Sequence, residues 1–536
     1  MLHTKNERML SMNENQYFSY LDVGLPEAVE KMKLCGELEA AVDCIDQRLA
    51  CTNLPENLRY CLLAEREMIR RIPADFPYTR AEAMDIIRAE IPSYTEEEFD
   101  AAVACGQIRF IYLHGEMRIF GRFFSSMIKS VPEFRARTKV ALNGGESSGK
   151  GSKADLRLNR SMRIMKETGA LANRITIRAT VKVEDAAFKP GMLVRVHVPI
   201  AAACEQQSDI RIESMFPENG RIAPEDAEQR TVYWEENMQE NHEFSVTYSY
   251  VHTAKWHDVE TVLRGMPMSQ DAMQDAAPEG TGCSDAKAAC GDAVTPDCVA
   301  SQTGAGEACC GTSSRPSGVP EVPCLKPEAL AEYAKDTAEL APHIEFTPYI
   351  RALTEACAQG CTTPLEKAKS FYDFITKNFR YTYMPAYFTL DSIAENCARS
   401  FTGDCGVFAL LFITMCRCAG IPAEWQSGFA AEPEFVGGHD WARFYAEPFG
   451  WLFADPSFGI GARRNENEER REFYFGNLDP YRMVANRAFQ APFTVDKRYF
   501  RTDPYDNQYG EIETEDRGLR YDEYTRKAEI VSFEEL

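Results

Sequence analysis

The chain has 536 residues, of which 44% are hydrophobic, and carries a formal net charge of -23 at neutral pH. That length suits roughly three or four domains with ordinary globular cores. The acidic balance argues against a nucleic-acid binder, which needs a basic surface to neutralise phosphates, and against adhesion to anionic membranes.

The N-terminal stretch MLHTKNERMLSMNENQYF has no continuous apolar run of signal-peptide length. Apolar runs elsewhere, such as GVFALLFITMC, fall short of the roughly 20 residues a membrane span needs. A cytoplasmic location is therefore expected. The 18 cysteines are scattered through apparent helices and apolar segments, as reduced thiols are.

Residues 1–140 read as a mainly helical domain. PEAVEKMKLCGELEAAVDCIDQRLA has apolar positions at helical spacing, and YTEEEFDAAVACG is a short helix with an acidic first turn. QIRFIYLHGEMRIFGRFF then gives two β-rich runs around His114-Gly115, a hairpin closing the domain. Residues 141–171 read as a linker with a short helix. NGGESSGKGSK nearly spells a phosphate-binding loop, but Gly151 stands where Ser or Thr would hold magnesium. A flexible Gly/Ser linker is the expectation.

Residues 172–262 alternate in RITIRATVKV, MLVRVHVPI, SDIRIESMF, RTVYWEE and HEFSVTYSYVH, the pattern of a small antiparallel β-sandwich. Residues 263–324 are rich in Gly, Ala, Ser, Thr and Asp and too poor in large apolar residues to offset ordering entropy. A disordered linker is expected there. Its cysteines lack Cys-x-x-Cys spacing and any nearby His, so no zinc site is predicted. Residues 325–500 run helices first and then a β-meander, an α+β order, and residues 501–536 read as a C-terminal tail.

The chemistry concentrates in GDCGVFALLFITMCRCAGIPAEW. Phe408, Leu411, Phe412 and Met415 recur at helical spacing, and Gly420-Ile421-Pro422 ends the run. Cys405 therefore opens a helix, where unpaired N–H groups and the dipole favour a thiolate and can receive an oxyanion. Cys416 and Cys418 lie near the opposite end and read as small core residues. A thiolate also needs a base held by a third group. His439 begins the strand HDWARFY, EPFG turns the chain, and WLFADPS returns beside it. That hairpin brings His439 and Asp455 roughly across from each other. Asp440, the strand neighbour of His439, points to the opposite face and is a poor orienter. Trp441 shares the face of His439 and either shields the site or packs in the core.

GDCGVFALLFITMCRCAGIPAEW, HDWARFY and GWLFADPSFG occur in that order, and residues 367 to 460 resemble the transglutaminase-like superfamily, related in layout to papain-type cysteine enzymes. The resemblance implies an α+β, papain-like core preceded by the helical domain and the sandwich. It implies Cys405 as nucleophile, His439 as general base and acid, and Asp455 as the group orienting the imidazole. Tyr381 and Tyr383 are placed by position to supply a second oxyanion contact, Tyr383 foremost. The activity implied is attack on an amide through a thioester, in a protein or peptide substrate, with water or an amine as acceptor and hydrolysis preferred. No metal or organic cofactor is required. The rival is a non-catalytic binding or assembly module on the same fold.

Overall fold

The computed structural model describes residues 24–139, 151–265 and 333–536. The expected linker at 263–324 lies outside them except for its first three residues, as do most residues of NGGESSGKGSK.

The N-terminal region packs α1 (Glu27–Cys35), α2 (Leu38–Leu49) and α3 (Glu56–Asp75) around Val29, Leu38, Ile45, Leu62 and Ile69. Its next helices, α4 (Arg80–Glu90) and α5 (Glu96–Ala104), start where Thr79 and Thr95 form reciprocal capping boxes with Glu82 and Glu98. Strands β1 (Tyr78–Thr79), β2 (Phe110–Leu113) and β3 (Glu116–Ile119) make a small antiparallel sheet. Then come α6 (Phe123–Ser130) and α7 (Pro132–Ala136). This region is tied to the rest of the chain by polar contacts. Arg71 donates to the carbonyls of Arg501 and Thr502 at 2.7 and 3.1 Å. Asp75 accepts from the Ala386 N–H, and the Ser126 hydroxyl from the Tyr383 N–H.

The helix expected to be short, α8 (Lys153–Thr168), runs for 16 residues. Most of its surface is polar, which hides its packing role in the sequence. Met162 and Met165 nevertheless enter the main core, and Asp155 pairs with buried Arg470 at 2.7 Å.

Strands β4 (Ala170–Val183), β5 (Met192–Pro199), β6 (Gln207–Phe216), β7 (Arg221–Ile222), β8 (Thr231–Met238) and β9 (Phe244–Lys255) form two sheets. After them comes a single helical turn and a half, α9 (Val259–Arg264). The segment expected as a tail completes both sheets. Strand β17 (Glu511–Thr514) pairs with β5, and β18 (Tyr524–Glu535) pairs antiparallel with β4 along most of its length. The sheet orders are β17-β5-β8-β7 and β18-β4-β9-β6. The physical reason is edge protection: without the C-terminal strands, β4 and β5 would present unpaired backbone. The charged residues of TRKAEIVSFEE point outward while Ala528, Ile530 and Phe533 pack on the sandwich core, so composition alone reads as a tail.

The remaining helices, α10 (Pro348–Cys357), α11 (Pro364–Asn378) and α12 (Ile393–Ser400), surround α13 (Cys405–Cys418), which is buried from Gly406 through Cys416. A short parallel pair, β10 (Arg380–Tyr381) with β11 (Thr402–Gly403), leads into α13. Beside that helix lies a five-stranded antiparallel sheet ordered β15-β14-β13-β12-β16. Its strands are β12 (Ala423–Glu432), β13 (Phe435–Ala446), β14 (Gly450–Ala454), β15 (Phe475–Gly476) and β16 (Arg482–Asn486). Helices α14 (Pro456–Arg464) and α15 (Glu468–Phe473) interrupt it between β14 and β15. Phe429, Ala431, Met483 and Ala485 from this sheet share the core of the sandwich, so the two layers are one hydrophobic unit.

Candidate active site

Asp404 is the N-cap of α13; its carboxylate accepts from the Val407 N–H at 3.4 Å, which leaves Cys405 as the first helical residue. The Met384 N–H and the Tyr387 hydroxyl also donate to Asp404. Gly406 makes room for that tyrosine: a Cβ there would lie 2.5 Å from the Tyr387 oxygen. The half-buried Cys405 faces a cleft of about 880 Å³ that is also lined by Tyr381, Tyr383, Tyr387, His439 and Asp440.

The β13–β14 hairpin supplies the imidazole and its partner. Ala442 opposes Ala454 in its register, and three residues before Ala442 on β13 the His439 Nε2 lies 2.7 Å from Asp455 Oδ2. Asp455 is at once the N-cap of α14, its Oδ1 accepting from the Phe458 N–H at 2.9 Å, with Pro456 in the first turn. Thus Asp455 caps a helix and holds a histidine with its two oxygens. Buried Arg482 adds an ion pair to Oδ2 at 2.9 Å, and Asp479 holds Arg482 at 2.6 Å. Burial raises the Asp455 carboxyl, but His439 and Arg482 beside it outweigh that and hold it below the ordinary range. Burial dominates at His439, lowering its basicity against the pull of Asp455, so the resting imidazole is neutral.

Alternation along β13 separates His439 from its neighbour. Ala442 and Phe444 pack against the core around α13, and Asp440 is on their face. The Cys405 thiol donates to Asp440 Oδ2 at 3.1 Å. The side chain of Gln508 donates to the other oxygen of Asp440, and Asp506 adjoins the same carboxyl. Gly438 lets this segment cross the strand: a Cβ there would lie 2.1 Å from the Gln508 oxygen, and the Gly438 N–H donates to the Tyr509 hydroxyl at 2.6 Å. Burial, then Asp440, then Asp404 push the Cys405 thiol well above its ordinary range. Burial first, and the neighbouring carboxyls after it, thus oppose the thiolate that the helix dipole favours. Asp440 is itself raised well above the carboxylate range by burial and by Asp506, as two acids sharing a site must be.

The family model described as "Transglutaminase-like superfamily" matches residues 351–456, a span that holds Cys405, His439 and Asp455. No curated protein matches the chain. Among solved structures, a candidate cysteine protease from Cytophaga hutchinsonii is similar over 68% of this chain and 92% of its own, at 13% identity and TM-score 0.37. The periplasmic domain of TgpA from Pseudomonas aeruginosa is similar over 58% of this chain and 95% of its own, at 13% identity and TM-score 0.25. A candidate protease from Parabacteroides distasonis is similar over 53% and 63%, at 15% identity and TM-score 0.18.

Within the matched residues the structure brings His439 and Asp455 together, and joins Cys405 to Asp440 instead of His439. Cys405 and His439 line one cleft without a hydrogen bond between them among the described contacts. Trp441 is core: it is fully buried with Phe453, Leu478 and Val484, and its N–H donates to Gln426 at 2.9 Å. Tyr383 lines the cleft, but Arg122 lies 3.3 Å above its ring, so its face is a platform for a cation. Tyr387, which sequence reading passed over, is the phenol held against the cap of Cys405. Asp440, set aside as an orienter because it lies on the face opposite His439, instead meets the Cys405 thiol from that face, whereas Arg482 and Gln508 were missed. Asp440 had a visible signal in its adjacency to His439; Arg482 and Gln508 had none, since each meets the site only through folding. Among the described residues no group of three or more His, Cys, Asp or Glu could hold a metal ion, and no helix is long and apolar enough to cross a membrane.

Proposed function

We propose that the chain is a cysteine amidase or protease that works through a thioester on Cys405. The carrying observation is the buried His439–Asp455–Arg482 series opening onto the same cleft as a thiol at a helix N-terminus. With Nε2 engaged by Asp455, the other ring nitrogen, Nδ1, is the one that takes the thiol proton. The substrate carbonyl displaces the thiol from Asp440, and sulfur attacks its carbon as the proton passes to His439. The oxyanion is received by the free N–H groups of the first turn of α13. Collapse breaks the C–N bond, and the leaving amine takes the proton from His439. Water then gives a proton to His439 and adds to the thioester; the C–S bond breaks, the acid leaves and sulfur regains its proton. Hydrolysis is preferred over transfer to an amine because it needs only water as the acceptor.

The test uses the full chain, a thiol alkylation profile against pH and a peptide library. Wild type is expected to cleave library members through an acyl-enzyme visible by mass, and Cys405→Ala to abolish both while unfolding at the same temperature. Unchanged turnover in Cys405→Ala would remove the thioester route. Alkylation of Cys405 at the rate of an ordinary buried thiol, with no acyl-enzyme from any peptide, would favour a binding module.

A further inference from the structure

The cleft around Cys405 has cations in its walls that no carboxylate among the described residues neutralises. Arg122 precedes α6, Lys129 lies in the last turn of that helix, Arg464 ends α14, and Arg526 belongs to β18; all four line the cleft. Arg122 stacks on Tyr383, Lys129 lies 4.6 Å from the centre of the same ring and 4.7 Å from that of Tyr381, and Arg526 lies 3.6 Å above Tyr521. Among the described residues none of the four forms an ion pair with an acid; Arg464 donates to the backbone carbonyl of Lys129. The fifth cation of the lining, Arg470, is neutralised by Asp155.

In a chain of net charge -23, bare cations gathered from three distant segments need a reason. The tyrosine faces hold the guanidinium groups in place and leave their donor edges toward the cleft. Cys405 lines the same cleft as all four cations. The acids of the cleft do not cancel this charge. Asp404, Asp440, Asp503 and Asp506 are buried and raised, so their negative charge is diminished.

We infer that the substrate of this site carries a carboxylate beside the amide attacked by Cys405, bound between Arg122 with Lys129 on one wall and Arg526 on the other. This rests on the reading of Cys405 as the nucleophile. The carboxylate is either an acidic side chain or the free C-terminus of a short peptide, and bidentate guanidinium contacts suit both.

The test sets iodoacetate against iodoacetamide on the full chain, with the product ratio at each cysteine read by mass spectrometry. The ratio of the anionic to the neutral adduct at Cys405 is expected to exceed that at exposed Cys35 and Cys105. It is expected to fall about threefold in each of Arg122→Gln and Arg526→Gln, the effect of one unit charge several ångströms away in a largely aqueous site. Both arginines are exposed, so the variants fold, and circular dichroism checks that. A ratio equal to that of the exposed cysteines and unmoved by either variant overturns the inference. The ratio is read even where Cys405 reacts slowly with both reagents, the result that counts against the enzyme reading instead. Binding of dye-labelled peptides to Cys405→Ala separates the sources. Preference for an internal glutamate in amidated peptides assigns the side chain, preference for a free C-terminus assigns the terminal carboxylate, and equal binding of neutral amidated peptides overturns both.

Discussion

Cys405 is held between opposing influences. The first turn of α13 favours a thiolate, while burial and the carboxyls of Asp440 and Asp404 favour the thiol. Asp440 is the member of that set in hydrogen-bond contact with the sulfur. Asp440→Asn removes the acceptor oxygen that holds the thiol proton, together with whatever charge the raised carboxyl keeps, and preserves its shape. The midpoint of Cys405 alkylation against pH is therefore expected to move down by about one unit, with faster reaction of the variant near neutral pH. A midpoint that stays in place would mean that burial alone sets the thiol and that Asp440 is a bystander. The dual use of Asp455 belongs to this scale too. One oxygen caps α14 and the other orients His439, so the turn-capping reading and the catalytic reading of Asp-Pro are both satisfied by one side chain.

At the scale of elements, β17 is fastened by charge. Glu511 pairs with Lys497 at 2.8 Å and Arg501 at 2.9 Å, and it accepts from the Thr502 N–H at 2.8 Å. Burial raises this carboxyl, but the two cations outweigh it and lower it from 4.5 to about 2. A depressed carboxylate stabilises the fold fully above its unfolded value and loses that contribution as pH falls toward its folded value. The contribution of Glu511 is therefore present above about pH 4.5 and lost on descent toward about pH 2. Glu511→Gln leaves two buried cations short of a partner and is expected to cost about 3–5 kcal/mol near neutral pH. The gap between wild type and variant should narrow as the pH is lowered through that window in urea unfolding. A gap that is constant with pH would show that Glu511 acts by packing rather than charge.

The whole molecule is knitted by segments far apart in sequence. The C-terminal strands close both sandwich sheets, the sandwich shares its core with the five-stranded sheet, and α6 lends a wall to the cleft. Truncation after residue 515 removes β18, exposes the β4 edge and strips Tyr524, Ile530 and Phe533 from the core. It is expected to lower the melting temperature, to open the sandwich to trypsin and to promote association through the bare edge, read by sedimentation. A truncated chain that stays monomeric with unchanged melting would make β18 dispensable to the fold.

Much of the site is local and could be read directly. The helix opened by Asp404-Cys405 follows from an apolar run with a capping aspartate, and the His439–Asp455 contact follows from a hairpin whose turn residues are adjacent in the chain. Period and capping need only neighbours, so sequence by itself determined which cysteine sits at the positive end of a helix and which aspartate meets the histidine. Folding alone decided the surroundings of the Cys405 thiol, because Asp506 and Gln508 reach its partner Asp440 from a segment that reads as a tail. Folding alone also decided the charge of the cleft, because Arg122, Arg464 and Arg526 come from three separate segments and no local pattern marks them as one group. Electric fields act through space, and neither composition nor periodicity records which distant charges will share it.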